Sequence, residues 1–341
     1  MADAPDRLDL QAIRAAARRL EQGRLVCLPT ETVYGLGADA DNPQAVARVY
    51  EAKGRPADHP LIVHIAPEAD LHHWAAEVPP EAQRLRQAFW PGPLTMILKR
   101  APGVAEAAAG GQGTIGLRCP AHPVAVALLR EFRQGRGGIA APSANRFGHV
   151  SPTTAAHVRE EFGAGHALVD CILEGGQSEV GIESTIVDLS RLDSTGPVLL
   201  RPGRLSAQAI GEVLGRPVAL PDRAAPRVSG SLESHYAPMT PLALVAPGEL
   251  DAVLARLASR GRRVALMSFR DRRDVGSVLR MPADAAAYGH DLYAALRKMD
   301  HEHADLIVVE APPVGTEWDA VNDRLRRAAF DSQGVLQRLI P

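Results

Sequence analysis

Along residues 1–215 short apolar runs alternate with stretches whose apolar residues recur at helical spacing. Residues 10–22 read as an Arg-rich amphipathic helix, and Leu25-Val-Cys-Leu as a short buried strand closed by Pro29. A helix is predicted over 43–52, then a strand over 61–65 whose apolar run is interrupted by His64. Helix 80–89 runs until Pro91 stops it. Further strands are read at 94–98, 114–118, 138–141 and 184–189. Helices are read over 123–132 and 153–162, the second opened by Ser-Pro-Thr-Thr. Such alternation makes an α/β domain, and the short spacings between strands point to a mixed sheet.

After residue 215 the pattern breaks. Residues 216–240 hold several Pro, Ser and Gly and no period, and read as a linker. Beyond them, strands at 242–246, 263–267 and 306–310 are separated or followed by helices at 249–260, 283–300 and 318–329. This β-α-β-α order predicts a small Rossmann-like α/β domain with a parallel sheet. The plan is therefore a first domain over 1–215, a linker over 216–240 and a second domain over 241–341, which suits a chain of 341 residues.

Composition narrows the function classes. No apolar run reaches the ~20 residues that span a bilayer, so no membrane role is expected. The opening Met-Ala-Asp-Ala-Pro-Asp lacks the basic and apolar blocks of a secretory signal. Cys27, Cys119 and Cys171 form no disulfide pattern, and a cytoplasmic setting is expected. The net charge is −2 and aromatics are 4%, which argues against a general nucleic-acid binder and leaves at most a weak tRNA contact. Of 38 basic residues only Lys53, Lys99 and Lys298 are lysines, so a lysine that persists hints at a place Arg cannot fill.

Several motif matches fail on context. Gly111-Gln-Gly-Thr-Ile-Gly116 fits G-x-G-x-x-G, but an Ala-rich segment precedes it and a strand follows, so it reads as a strand-entry turn. His301 and His303 lie two apart in a polar helical stretch and read as solvated. Cys119, between Arg118 and Pro120, reads as a packing residue at a strand end.

Three segments carry more polar chemistry than a core requires. Pro29-Thr-Glu-Thr-Val-Tyr-Gly-Leu-Gly37 follows a buried strand and suits a small polar ligand, its glycines letting backbone approach; a structural turn could use the same residues. Lys53-Gly-Arg55-Pro projects two cations that match a triphosphate clamp, with a solvated basic turn as the other reading. Ala141-Pro-Ser143-Ala-Asn145 and Ser151 offer hydroxyls and an amide to phosphate or ribose, or form an ordinary turn and helix cap. Arg118 and Arg201 each end an apolar run, where a charge is costly unless an anion meets it. The four cations point to a polyphosphate and a carboxylate, and to catalysis by positioning and charge neutralisation.

Taken together, Pro-Thr-Glu-Thr-Val-Tyr-Gly-Leu-Gly, Lys-Gly-Arg-Pro, Trp-Pro-Gly-Pro-Leu-Thr, Leu-Arg-Cys-Pro, Pro-Ser-Ala-Asn and Glu-Ser-Thr-Ile-Val-Asp resemble the YrdC family in order and spacing over ~200 residues. The linker and second domain resemble the family's two-domain, threonylcarbamoyl-AMP-forming branch. The resemblance implies a YrdC-like twisted mixed sheet flanked by helices. It also implies a reaction in which L-threonine and bicarbonate form a carbamate that attacks the α-phosphate of ATP and expels pyrophosphate. The product would serve the threonylcarbamoyladenosine modification of tRNA through downstream transfer proteins.

By the same resemblance Thr32, His64, Arg118, Ala141 and Ser184 hold L-threonine, with Arg118 on its carboxylate. Lys53, Arg55, His59, Thr114, Ser143, Asn145, Ser151, Arg201 and Tyr236 hold ATP, with Lys53 and Arg55 as the catalytic cations. Mg²⁺ would ride on the phosphates with no protein metal site. His59 stands where many relatives carry Asn. Ala141 stands where some carry Thr, so a contact there would use backbone. The linker is expected to be a lid over the site, with Tyr236 closing on the nucleotide. Hydrogenase-maturation proteins share a YrdC-like module but add zinc-type cysteine pairs, and no C-x-x-C occurs here.

Overall fold

The computed structural model describes residues 8–163, 165–169, 171–230 and 235–340. The chain divides into two compact units, one of residues 1–146, 152–179 and 183–231, the other of residues 147–151, 180–182 and 232–341.

The first unit is built on eight strands: β1 (Val26–Leu28), β2 (Gly35–Asp39), β3 (Ile62–Ile65), β4 (Leu94–Lys99), β5 (Thr114–Arg118), β6 (Gly138–Ala140), β7 (Thr185–Asp188) and β8 (Val198–Arg201). Their order is β1-β2-β6-β3-β5-β4-β7-β8. The β3–β5 and β4–β7 pairs are parallel and the others antiparallel, so the sheet is mixed as expected. A short loop suffices where antiparallel neighbours follow one another in the chain, as from β1 to β2.

The predicted strands appear within a residue or so of their expected bounds, with two additions, β2 and β8, the second being the apolar run that Arg201 ends. β2 begins inside the Pro29–Gly37 segment read as a ligand site and runs past it, where Gly-Leu-Gly-Ala-Asp offers small residues in place of a β-branched run. Its glycines serve packing. A Cβ on Gly37 would stand 2.7 Å from Ile139 Cγ2 and 2.9 Å from Leu28 Cδ2. Tyr34 is likewise structural: its hydroxyl donates to the Gly176 carbonyl at 2.9 Å and accepts from the Gly175 N–H at 3.1 Å.

Residues 216–230, read as linker, are built into this unit. Leu199 N–H donates to the Ala219 carbonyl at 2.8 Å, Arg227 N–H donates to Gln112 at 2.9 Å, and Val228 packs with Ile97 and Ile186.

The second unit has β9 (Leu242–Val245), β10 (Val264–Ser268), β11 (Ser277–Arg280) and β12 (Leu306–Glu310) in the order β11-β10-β12-β9, all parallel. The Rossmann-like expectation is met. β11 and a terminal helix, Ser332–Leu339, add to the predicted elements. Its core gathers Leu266, Val308, Ala243 and Leu257 beneath the sheet.

Candidate active site

Alternation along the central strands separates a core face from a polar face. In β5, Ile115 and Leu117 join the main core, so Thr114, Gly116 and Arg118 occupy the opposite face. β3 sends Val63 and Ile65 to the core and leaves Ile62 and His64 across from them; β4 does the same with Met96 and Leu98 against Thr95 and Ile97. Strand register then aligns the polar positions, because His64 pairs with Arg118 and Arg118 with Thr95. Thr95 Oγ1 lies 2.8 Å from Ser184 Oγ, which extends the row to the loop entering β7.

The Lys-Gly-Arg pair is set by a helix end. Helix Pro43–Lys53 is capped at its start by Asn42, whose side chain accepts from the Gln44 and Ala45 N–H groups, and ends as Gly54 turns left-handed at φ 63°. That turn reverses the chain between Lys53 and Arg55. Lys53 Nζ donates to the carbonyls of Ser143 at 2.6 Å and Asn145 at 2.5 Å. Both acceptors are neutral backbone groups. Burial, and then the nearby Arg55 charge, push the Lys53 amine down to about 7.

Arg55 Nη2 donates to the Pro60 carbonyl at 3.0 Å and to Ser229 Oγ at 3.1 Å. Arg201 Nη1 donates to the Ser229 carbonyl at 2.9 Å, and its Nη2 to Ser184 Oγ at 3.1 Å. Ser229 thus joins two cations that sequence reading put in one polyphosphate set, and Arg201 also reaches the amino-acid set through Ser184. With Val228 and Ser229 in place, the space beside Thr114 and Gly116 is about 10 Å³, room for no more than one water.

The residues expected from the resemblance to hold the amino acid lie in the first unit. Thr32 is buried, its Oγ1 2.9 Å from Thr30 Oγ1. His64 is buried, and burial followed by the Arg118 charge drives its imidazole down to about 3, so it is neutral at physiological pH. Arg118 donates through Nη2 to Glu31 Oε1 at 2.7 Å. The Ala141 N–H donates to the Ile62 carbonyl at 3.0 Å, so any backbone contact there falls to its carbonyl. His59 is half-buried, its ring basicity lowered by burial and by Arg55, and its carbonyl accepts from Tyr50 at 2.9 Å.

Ser151 and Tyr236 belong to the second unit. Tyr236 adopts φ 62° and packs near Tyr293 at 5.7 Å, with the Arg324 guanidinium 5.3 Å above its ring. Cys119 is buried at the end of β5, where burial raises its thiol to about 12; it is a packing residue, as expected.

Sequence reasoning gave no role to Glu31, Thr95 or Ser229. Thr95 had a signal, a hydroxyl inside the apolar Leu94–Leu98 run. Glu31 had only its place in the polar Pro29–Gly37 segment and Ser229 had none, because their partners lie 87 and 174 residues away.

The donor set is cationic and hydroxylic, which fits phosphates and a carboxylate. Among the described residues, no group of three or more His, Cys, Asp or Glu side chains is placed to hold a metal ion.

Residues 18–203 match the Sua5/YciO/YrdC family, described as telomere recombination, and residues 205–330 match the family described as threonylcarbamoyl-AMP synthase, C-terminal domain. The chain is 38% identical to a threonylcarbamoyl-AMP synthase of Pyrococcus abyssi over 95% of its length and 96% of the relative's. It is 39% identical to the Bacillus subtilis protein of the same name, over 93% and 92%. A crystal structure of P. abyssi Sua5 complexed with L-threonine superposes with a TM-score of 0.87 at 36% identity, covering 96% of each chain.

Proposed function

The chain belongs to the Sua5/YciO/YrdC family, and from that premise we infer that it condenses L-threonine, bicarbonate and ATP to threonylcarbamoyl-AMP and pyrophosphate, for the threonylcarbamoyladenosine modification of tRNA. The observation that carries this reading is the end-to-end likeness to named synthases, spanning both units.

The chemistry has two steps. The threonine amine, once deprotonated, attacks the carbon of bicarbonate, and water leaves as the carbamate forms. A carbamate oxygen then attacks the α-phosphorus of ATP, and the bond to the β-phosphate oxygen breaks to release pyrophosphate. Neither step needs a protein nucleophile. Lys53, Arg55 and Arg201 are assigned to the phosphates, where they offset charge that builds up as pyrophosphate leaves. Ser143, Asn145, Thr114 and His59 line the same reading, and the family likeness adds Ser151 and Tyr236. Thr32, His64, Ala141 and Ser184 are assigned to L-threonine, and Arg118 to its carboxylate. On this reading the enzyme is a nucleotidyltransferase.

Mg²⁺ is proposed to arrive with ATP as part of the substrate, consistent with a cationic rather than acidic cradle. Residues 226–229 are proposed to act as a cover, since Val228 and Ser229 fill space that a nucleotide on Thr114 would need. A closed cover would also keep water from the carbamate. Among the described residues, no helix is long and apolar enough to cross a membrane. We place the enzyme in the cytoplasm, handing its product to tRNA-modifying transfer proteins, with at most a weak tRNA contact of its own.

The test is pyrophosphate release from ATP and Mg²⁺ with threonine or bicarbonate omitted in turn. Release that requires both, with a product of threonylcarbamoyl-adenylate mass, is expected. Release without either would mean a different nucleotide-cleaving activity.

A further inference from the structure

Glu31 sits in the Pro29-Thr-Glu-Thr segment and has no part in the roles assigned above, yet it is one of the best-anchored side chains of the site. Its side chain and that of Arg118 are each only 5% exposed, and they pair at 2.7 Å. The second carboxylate oxygen accepts the Ala121 N–H at 2.9 Å. Glu31 therefore grips both the Arg118 side chain and the turn three residues beyond it. Arg118 Nε has its own acceptor, the Gly92 carbonyl at 3.4 Å. Its Nη1 makes no hydrogen bond among the described residues and is not sealed from solvent.

We propose that Glu31 is a positioning residue of the amino-acid subsite: it holds Nη2 of Arg118 and so keeps Nη1 presented to the L-threonine carboxylate. The proposal rests on the reading of Arg118 as the carboxylate ligand.

The physical argument turns on what substrate would displace. A carboxylate arriving at Nη2 would strand Glu31 in a buried place with a single N–H partner, which is strongly unfavourable. One arriving at Nη1 leaves every existing bond intact. The Glu31–Arg118 pair also makes the empty subsite neutral, so a buried guanidinium need not wait uncompensated for its substrate. A guanidinium offers its donors in a fixed fork, so fixing one edge fixes the direction of the other.

The experiment measures L-threonine affinity of the full chain by calorimetry for wild type, Glu31→Gln, Arg118→Ala and the double variant, with ATP affinity and melting temperature alongside. Glu31→Gln is expected to weaken threonine binding about 10- to 100-fold and to raise KM for threonine accordingly, with ATP affinity within about twofold. In the Arg118→Ala background it should add less than about twofold, because Glu31 acts through Arg118.

Normal threonine affinity in Arg118→Ala would overturn the reading of Arg118 itself. A large loss in Arg118→Ala beside unchanged or tighter binding in Glu31→Gln would overturn only the positioning role, tighter binding meaning that Glu31 competes with substrate. Equal losses for threonine and ATP would reduce Glu31 to a general structural residue. If Glu31→Gln does not fold, Glu31→Asp, which keeps the charge but draws it back by one methylene, is read in the same scheme and is expected to weaken threonine binding alone.

Discussion

Lys53 and Arg118 are both buried cations, but their surroundings differ in a way that separates their behaviour. Arg118 has a carboxylate partner, whereas Lys53 Nζ meets two backbone carbonyls and sits near Arg55. The folded Lys53 amine titrates at about 7 and the unfolded one near its ordinary 10.5. Below pH 7 both states hold the proton, and the penalty for burying the charge is fully present. Between these values the unfolded chain binds more protons, so stability rises with pH, by up to about 1.4 kcal/mol per pH unit from this group. Urea midpoints measured from pH 7 to 9 should therefore climb more steeply for wild type than for Lys53→Met.

A triphosphate beside the amine would restore its proton. ATP binding above pH 7 is thus expected to take up a proton and weaken as pH rises, by up to about tenfold per unit. Calorimetry at pH 8.5 in buffers of different ionisation enthalpy reads this uptake directly, and none detected would remove Lys53 from the phosphates. Arg118→Ala acts on the other substrate. Losing a charged hydrogen-bond partner costs roughly 2–4 kcal/mol, about 30- to 1000-fold in threonine affinity. A loss confined to ATP would refute its assignment.

At the scale of elements, the site is a consequence of strand periodicity. Thr114-Ile-Gly-Leu-Arg118 could be read from the chain as a strand with a costly charge at its end, and the structure puts that charge in register with His64 and Thr95. What periodicity could not reveal was anything held by contacts remote in sequence or by small residues. β2 escaped because glycine and alanine carry no strand pattern, although at position 37 only glycine fits between Leu28 and Ile139. Residues 216–230 escaped because their attachment is a bridge from Ala219 to Val198 and hydrogen bonds to Arg55 and Arg201, none of which leaves an apolar period. The glycines of the Pro29–Gly37 segment, read as letting backbone approach a ligand or as part of a structural turn, serve at Gly37 to admit Leu28 and Ile139. Gly37→Ala tests the packing account. Overpacking against Ile139, Leu28 and the Val26 carbonyl should cost about 1–3 kcal/mol, seen as a lower denaturation midpoint, while threonine affinity per folded molecule stays at the wild-type value.

Across the whole molecule, the residues that the proposed function assigns to the two substrates fall differently in the chain's two units. Every residue assigned to L-threonine belongs to the first unit, whereas the ATP set draws Ser151 and Tyr236 from the second. The Rossmann-like pattern of the second unit was readable from its apolar strands, but a pattern that builds a core says nothing about which substrate the unit serves. Tyr236 offers the handle. A non-glycine residue at φ 62° holds a strained backbone, and its ring is already held near Arg324 and Tyr293. If that ring stacks on the nucleotide, Tyr236→Ala should cost roughly 1–3 kcal/mol, about 5- to 150-fold in KM for ATP. Threonine affinity should move by less than about twofold. Truncation separates this contribution from that of the cover. A chain ending at residue 230 keeps Val228 and Ser229 and should resemble Tyr236→Ala. A chain ending at 215 loses the cover as well and should turn over more slowly still, because a carbamate open to solvent hydrolyses before it reaches the α-phosphate. Turnover by the shorter chain equal to that of the longer one would show that residues 216–230 protect nothing.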